Sequence, residues 1–121
     1  MDRGRKITGG KYHKQRKYCL YERQGQERHV VIGQIKRKQL RTRSGATKTT
    51  LLMADQANVR IGKKIQQAHI TNVESTPQNP FLSRQNRLMK GAIIETSLGK
   101  AKITNRPSQE GCVNAVLLET K

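Results

Sequence analysis

Residues 92–105 read Ala92-Ile93-Ile94-Glu95-Thr96-Ser97-Leu98-Gly99-Lys100-Ala101-Lys102-Ile103-Thr104-Asn105, and their alternation decides the fold. Two runs of period two flank a turn in which Gly99 supplies the positive φ of a tight hairpin. With Leu98 and Gly99 as the two-residue turn, Thr96 faces Ala101, Ile94 faces Ile103 and Glu95 faces Lys102. One face is then apolar, and the other carries an opposite-charge pair. A hairpin with one greasy face needs further strands to cover it.

Those strands lie on both sides. Downstream, Gln109-Glu110-Gly111 forms a turn after Arg106-Pro107, and Cys112 to Leu118 has apolar residues at both parities. That pattern predicts a central strand buried on both faces. Upstream, Ile35–Arg43 and Thr47–Ala54 flank Ser44-Gly45-Ala46 and predict a second hairpin. Ile35 and Leu40 have opposite parity, so this hairpin requires a bulge or an edge position, where its Lys and Arg also blunt the edge. Ile65 to Val73 fits neither period and is taken as a strand. Thr76 to Pro80 breaks the chain, and Phe81 to Leu88 holds a helical turn presenting Arg84 and Arg87. The segments add up to a mostly β chain: a small β-barrel-like domain of about six strands over residues 35–121, preceded by an extended basic N-terminal arm over residues 1–34.

Charge explains the arm. The 121 residues hold 25 Lys and Arg against 8 Asp and Glu, a net charge of +17. Residues 1–50 carry 15 of those cations and 3 of the acids, while residues 51–121 carry 10 and 5. Leu, Ile, Val and Phe together number 25, near the lower limit for a chain that buries a core. Self-repulsion therefore keeps the basic end open until a polyanion neutralises it, and the greasier end folds.

Other classes fall away. No apolar run spans a bilayer, no apolar h-region follows the N-terminal charges, and residues 1–28 lack the apolar stripe of a membrane-surface helix, so a soluble, unexported chain is expected. Cys19 and Cys112 form no CxxC pair and suit free thiols in a reducing cytosol. His13, His29 and His69 fall outside zinc-ligand spacing, and neither a GxxxxGK[ST] loop nor a GxSxG elbow occurs. Asp55 and Glu74 suit a turn acceptor and a surface partner for Lys rather than an acid and base pair. The expectation is no catalysis, no metal, no cofactor and no small-molecule substrate.

Polyanion binding remains. Arg3, Arg5, Lys6 and Lys11 alternate with glycines that let the backbone approach phosphates. Tyr12, Lys14, Arg16 and Lys17 interleave a ring with cations, and Arg23 extends the series. A second cluster comprises Lys36, Arg37, Lys38, Arg41, Arg43 and Lys48, with Arg37, Arg41 and Arg43 on one side of a strand. Arg84 and Arg87 complete the candidate interface. No recognition helix or dimerisation element suggests a DNA reader, and Phe81 alone cannot make an aromatic RNA-binding platform. Contacts to phosphates and RNA shape should dominate. A free-standing nucleic-acid-packaging protein is the alternative.

The sequence also resembles the S-eight-e family of small-subunit ribosomal proteins over nearly its whole length. The resemblance rests on Arg5-Lys6-Ile7-Thr8-Gly9-Gly10, on Lys38-Gln39-Leu40-Arg41-Thr42-Arg43-Ser44-Gly45, on Ala57-Asn58-Val59, and above all on Lys90 to Pro107 with Gly111 to Leu117. It departs from the family pattern at residues 59–64 and 74–84. The resemblance implies a compact β-barrel-like domain with a basic arm, bound to small-subunit rRNA among neighbouring small-subunit proteins, cytoplasmic in the ribosome, and neither catalytic nor a homo-oligomer. The length is similar to the short archaeal form.

Overall fold

The structure, a computed structural model, describes residues 4–118. Eight strands and two short helices follow one another as β1 (Val31–Ile32), β2 (Lys36–Arg41), β3 (Thr47–Ala54), β4 (Gln56–Ile61), β5 (Lys64–Ser75), α1 (Pro80–Arg84), β6 (Ile93–Thr96), β7 (Gly99–Ile103), α2 (Pro107–Glu110) and β8 (Asn114–Leu117). The expected β-barrel is present, but five strands close it, in the order β4-β5-β6-β7-β8. The upstream hairpin does not join the barrel. It forms a separate three-stranded sheet, β1-β3-β2, in which β1 runs parallel to β3.

Sheet and barrel are nevertheless one body. Only Asp55 separates β3 from β4, and its carbonyl accepts the amide of Ile70 at 2.8 Å. Val30, Leu51 and Ala54 of the sheet side lie in the same apolar cluster as Val59, Ile94 and Ile103 of the barrel. A five-stranded barrel has a narrow interior, which explains why Ala57, Ala68, Ala92, Ala101 and Ala115 all lie in that cluster. Closure comes from β4 and β8, which pair in parallel through Asn58–Arg60 and Asn114–Val116, with Asn58 Nδ2 donating to Asn114 Oδ1 at 3.1 Å.

The deciding hairpin forms with a shifted turn. Thr96 pairs with Gly99, Glu95 with Lys100 and Ile94 with Ala101, so Ser97 and Leu98, rather than Leu98 and Gly99, make the two-residue turn. Gly99 keeps its positive φ of 119°, and Thr96 Oγ1 donates to its carbonyl at 2.7 Å. The shift changes each pairing by two positions, and a displacement of two leaves every side chain on its original face. Ile94, Thr96, Ala101 and Ile103 are therefore buried as expected.

Bulges resolve the mixed parities elsewhere. In β5, register shifts at Ile70/Asn72 and Val73/Ser75 let Ala68, Ile70 and Val73 all face the core, while Ile65 lies outside. In β2, a shift at Lys36/Arg37 accompanies an edge position, so both expected devices occur. The Cys112–Leu118 segment differs from expectation. β8 is flanked by β4 and β7, yet within it only Ala115 is buried, because the outer face of a small barrel is left to solvent. The 109–111 turn belongs to α2, which ends on Gly111 at φ 71°. A Cβ there would lie 2.8 Å from Thr49 Cγ2, so only glycine fits between α2 and β3.

Candidate nucleic-acid interface

The candidate cations fall into three places. Along the arm, Arg5, Lys6, Lys11, Lys14, Arg16, Lys17 and Arg23 are all exposed; Arg3 lies outside the described residues. Arg5 pairs with Lys11 across a tight turn and donates Nη1 to the Gly9 carbonyl at 3.1 Å. Lys6 stands 5.6 Å above the Tyr12 ring in a cation–π contact. Tyr12, Tyr18 and Tyr21 are all exposed. Further along, a single 3₁₀ turn, Leu20–Glu22, is held by its acid: Cys19 donates its amide to Glu22 Oε2 at 3.0 Å, and Arg16 forks onto both carboxylate oxygens, Nη1 at 2.9 Å. That fork raises the Arg16 pKa and lowers the Glu22 pKa, with the Cys19 amide adding to the lowering.

The second place is the edge strand β2 with its loop. Lys36, Lys38 and Arg41 are exposed on it. Arg37 donates Nε to the Gly111 carbonyl at 3.0 Å, and Lys48 Nζ contacts Gln109 Oε1, so these two cations also tie the sheet to α2. Arg43 is not on the strand with Arg37 and Arg41. It sits in the 42–46 turn, closed by Thr42 N to the Ala46 carbonyl at 2.7 Å, and it donates Nη2 to the Tyr21 carbonyl at 3.2 Å. That bond brings the arm's 3₁₀ turn against the hairpin loop, so the two clusters that the sequence keeps apart meet.

The third place is α1 with the reversal at its C-terminal end. Asn79 caps α1 through Oδ1, which accepts the Phe81 amide at 3.0 Å, and Arg84 lies 5.4 Å from the Phe81 ring centroid. Arg87 leaves the helical turn: Asn86 reverses the chain at φ 51°, and Arg87 forms a bridge with Val31. Of all the candidate cations, Arg16 alone forms an ion pair among the described residues. Glu74 pairs with Lys100 as the expected surface partner, whereas Asp55 Oδ1 is buried without a hydrogen-bond partner among the described residues and does not act as a turn acceptor. The other described candidate cations have no carboxylate partner, so their charge is left uncompensated by the protein itself even where, as for Arg37, Arg43 and Lys48, they hydrogen-bond to neutral groups.

Sequence reasoning missed Arg28, Lys90 and Arg106. They line a groove of about 400 Å³ together with Arg87, where the arm root, the 87–90 segment and the start of α2 converge. No local signal marks them, since they come from distant segments. Among the described residues no His, Cys, Asp or Glu cluster fits a metal ion, and no helix is long and apolar enough to cross a membrane.

Comparison with known proteins identifies the family. The family model described as Ribosomal protein S8e matches residues 2–118. The Small ribosomal subunit protein eS8 of Methanocorpusculum labreanum is 42% identical over 117 residues, covering 95% of this chain and 94% of the relative. Its namesake in Methanosarcina barkeri is also 42% identical, with the same coverage. The Haloarcula marismortui protein of that name is 37% identical over 115 residues, covering 95% and 94%. With a family match across nearly all of its length, the chain belongs to the ribosomal protein S8e family.

Proposed function

We propose that this chain is a structural constituent of the small ribosomal subunit, cytoplasmic within the ribosome, that binds small-subunit rRNA through phosphate and shape contacts and supports assembly and translation without catalysis. The relatives are named as small-subunit proteins. The observation that carries the RNA reading is the joined cationic surface, in which the arm meets the β2–β3 loop through Arg43 and Tyr21 and all candidate cations but Arg16 lack a carboxylate partner among the described residues. The barrel docks on folded RNA, and the exposed part of the arm before Val30 threads between helices and orders by charge neutralisation, while Val30 to Gly33 stay packed on the body. Neighbouring small-subunit proteins are its protein partners; a second copy of the chain is not.

Sedimentation tests this reading. In cell extract with subunits dissociated, the chain should travel almost wholly with the small subunit and be stripped from it by concentrated salt. Movement with bulk DNA or as free protein would favour the packaging alternative.

A further inference from the structure

Three distant parts of the chain meet at the root of the arm. Leu88 donates its amide to the Val30 carbonyl at 2.8 Å and Arg87 bridges Val31, which pins the end of the arm against the start of the 87–90 segment. Gln78 Nε2 holds the Lys90 carbonyl at 2.7 Å, and Arg106 to Gln109 close the third side. The groove between them encloses about 400 Å³ and has buried Val30, Leu88 and Pro107 in its floor. Its floor is therefore tied to the core, while the wall at residues 26–29 is exposed.

Arg28, Arg87, Lys90 and Arg106 line this groove, and none has a carboxylate partner among the described residues. The one lining acid, Glu27, is turned to His29 at 3.5 Å. Four cations against one acid around one concavity focus positive potential into it. The neutral lining, Gln26, Gln78, Ser108 and Gln109, offers hydrogen-bond donors suited to phosphate oxygens. No Phe, Tyr or Trp lines it, and the one ring present, His29, has its Nδ1 3.5 Å from Glu27 Oε1, so base stacking has little part in it.

We propose that this groove is a phosphodiester-binding cleft, in which Arg28, Arg87, Lys90 and Arg106 hold the backbone of one RNA strand where the arm leaves the body. The inference rests on the rRNA reading above and gives it a preformed anchor. The cleft recognises charge and spacing, not base identity. Because residues 26–30 form one wall, a strand held there also sets the direction in which the arm departs.

The test uses the full chain and a fluorescently labelled oligouridylate, with affinity measured by anisotropy across a series of KCl concentrations. The variant Arg87→Gln/Lys90→Gln/Arg106→Gln should bind about tenfold or more weakly, with a log–log salt slope smaller by about 2, roughly 0.7 for each lost phosphate contact. Arg60→Gln/Lys63→Gln/Lys64→Gln removes the same charge from the β4–β5 hairpin and should lose less than half as much. Equal losses in the two variants, or none in the first, overturn the cleft. Should the first variant fail to fold, amide NMR of the unaltered chain decides: oligouridylate should move the signals of Leu88, Met89, Lys90 and Ser108, and unmoved signals overturn the proposal. An oligoglutamate peptide that moves them at lower concentration assigns the groove to an acidic protein and overturns it too. A wild-type affinity indifferent to salt would remove the wider RNA reading, a result distinguishable from failure of the cleft alone.

Discussion

The arm and the barrel are built on opposite terms. Between Gly4 and His29 every residue except Cys19 and Glu22 is exposed, and the few internal bonds are short-range turns and one fork between Arg16 and Glu22. In the barrel, Val59, Ile94 and Ile103 have no solvent exposure, and every strand is paired on both edges. The first region has charge without a core; the second has a core whose cations are sparser. Affinity for a polyanion and stability of the fold should therefore respond to different substitutions.

Removing residues 1–24 breaks the comparison most sharply. Eight Lys and Arg leave with them, yet Val30 and β1 remain in place. Affinity for small-subunit rRNA should fall more than about a hundredfold, and the salt slope by about 6 to 7 if each cation meets a phosphate. The melting temperature, followed by circular dichroism, should barely move. The converse is Ile103→Ala, which empties a wholly buried site. It should destabilise the barrel by about 2–4 kcal/mol in urea unfolding while the salt slope of the folded protein stays the same.

Gly111→Ala sharpens the boundary between α2 and the sheet. The φ of 71° and the approach of Thr49 predict a loss of about 1–3 kcal/mol, read by the same unfolding curve. On the cationic edge, Lys36→Gln/Lys38→Gln/Arg41→Gln should lower the rRNA salt slope by about 2 to 3 and change stability by less than about 0.5 kcal/mol, since all three are exposed. The smallest effect concerns Glu22. Its pKa is depressed in the folded turn by Arg16 and by the Cys19 amide, so its contribution is present above the ordinary carboxylate pKa and is lost as pH falls through the depressed value. Acidification should shift the Cys19 amide resonance in NMR while barrel resonances stay fixed.

Much of this organisation is legible in the residues themselves. Period-two alternation in Ile94–Thr96 and Ala101–Ile103 specifies which face is buried, because that depends only on parity. It does not specify the turn, because Leu98-Gly99 and Ser97-Leu98 give the same faces and local bonding from Thr96 selects between them. Broken parity at Ile70 and Val73 signals bulges, but only the neighbouring strand β6 locates them. Closure through β4 and β8 pairs segments too distant for any local pattern. For the same reason the exposed cations of the arm and β2 stand out as runs, whereas Arg28, Lys90 and Arg106 become a group only when the chain folds. Arg43 shows the limit of periodicity, since alternation assigns it to a strand that ends two residues earlier.

The most direct measurement is the dependence of small-subunit rRNA affinity on KCl concentration for the full chain. Neutralisation of about ten phosphates predicts a log–log slope near −7 to −9, roughly 0.7 to 0.9 per phosphate. A slope close to zero would contradict it, because the unpaired cations of the arm and the β2 edge would then have no part in holding the RNA.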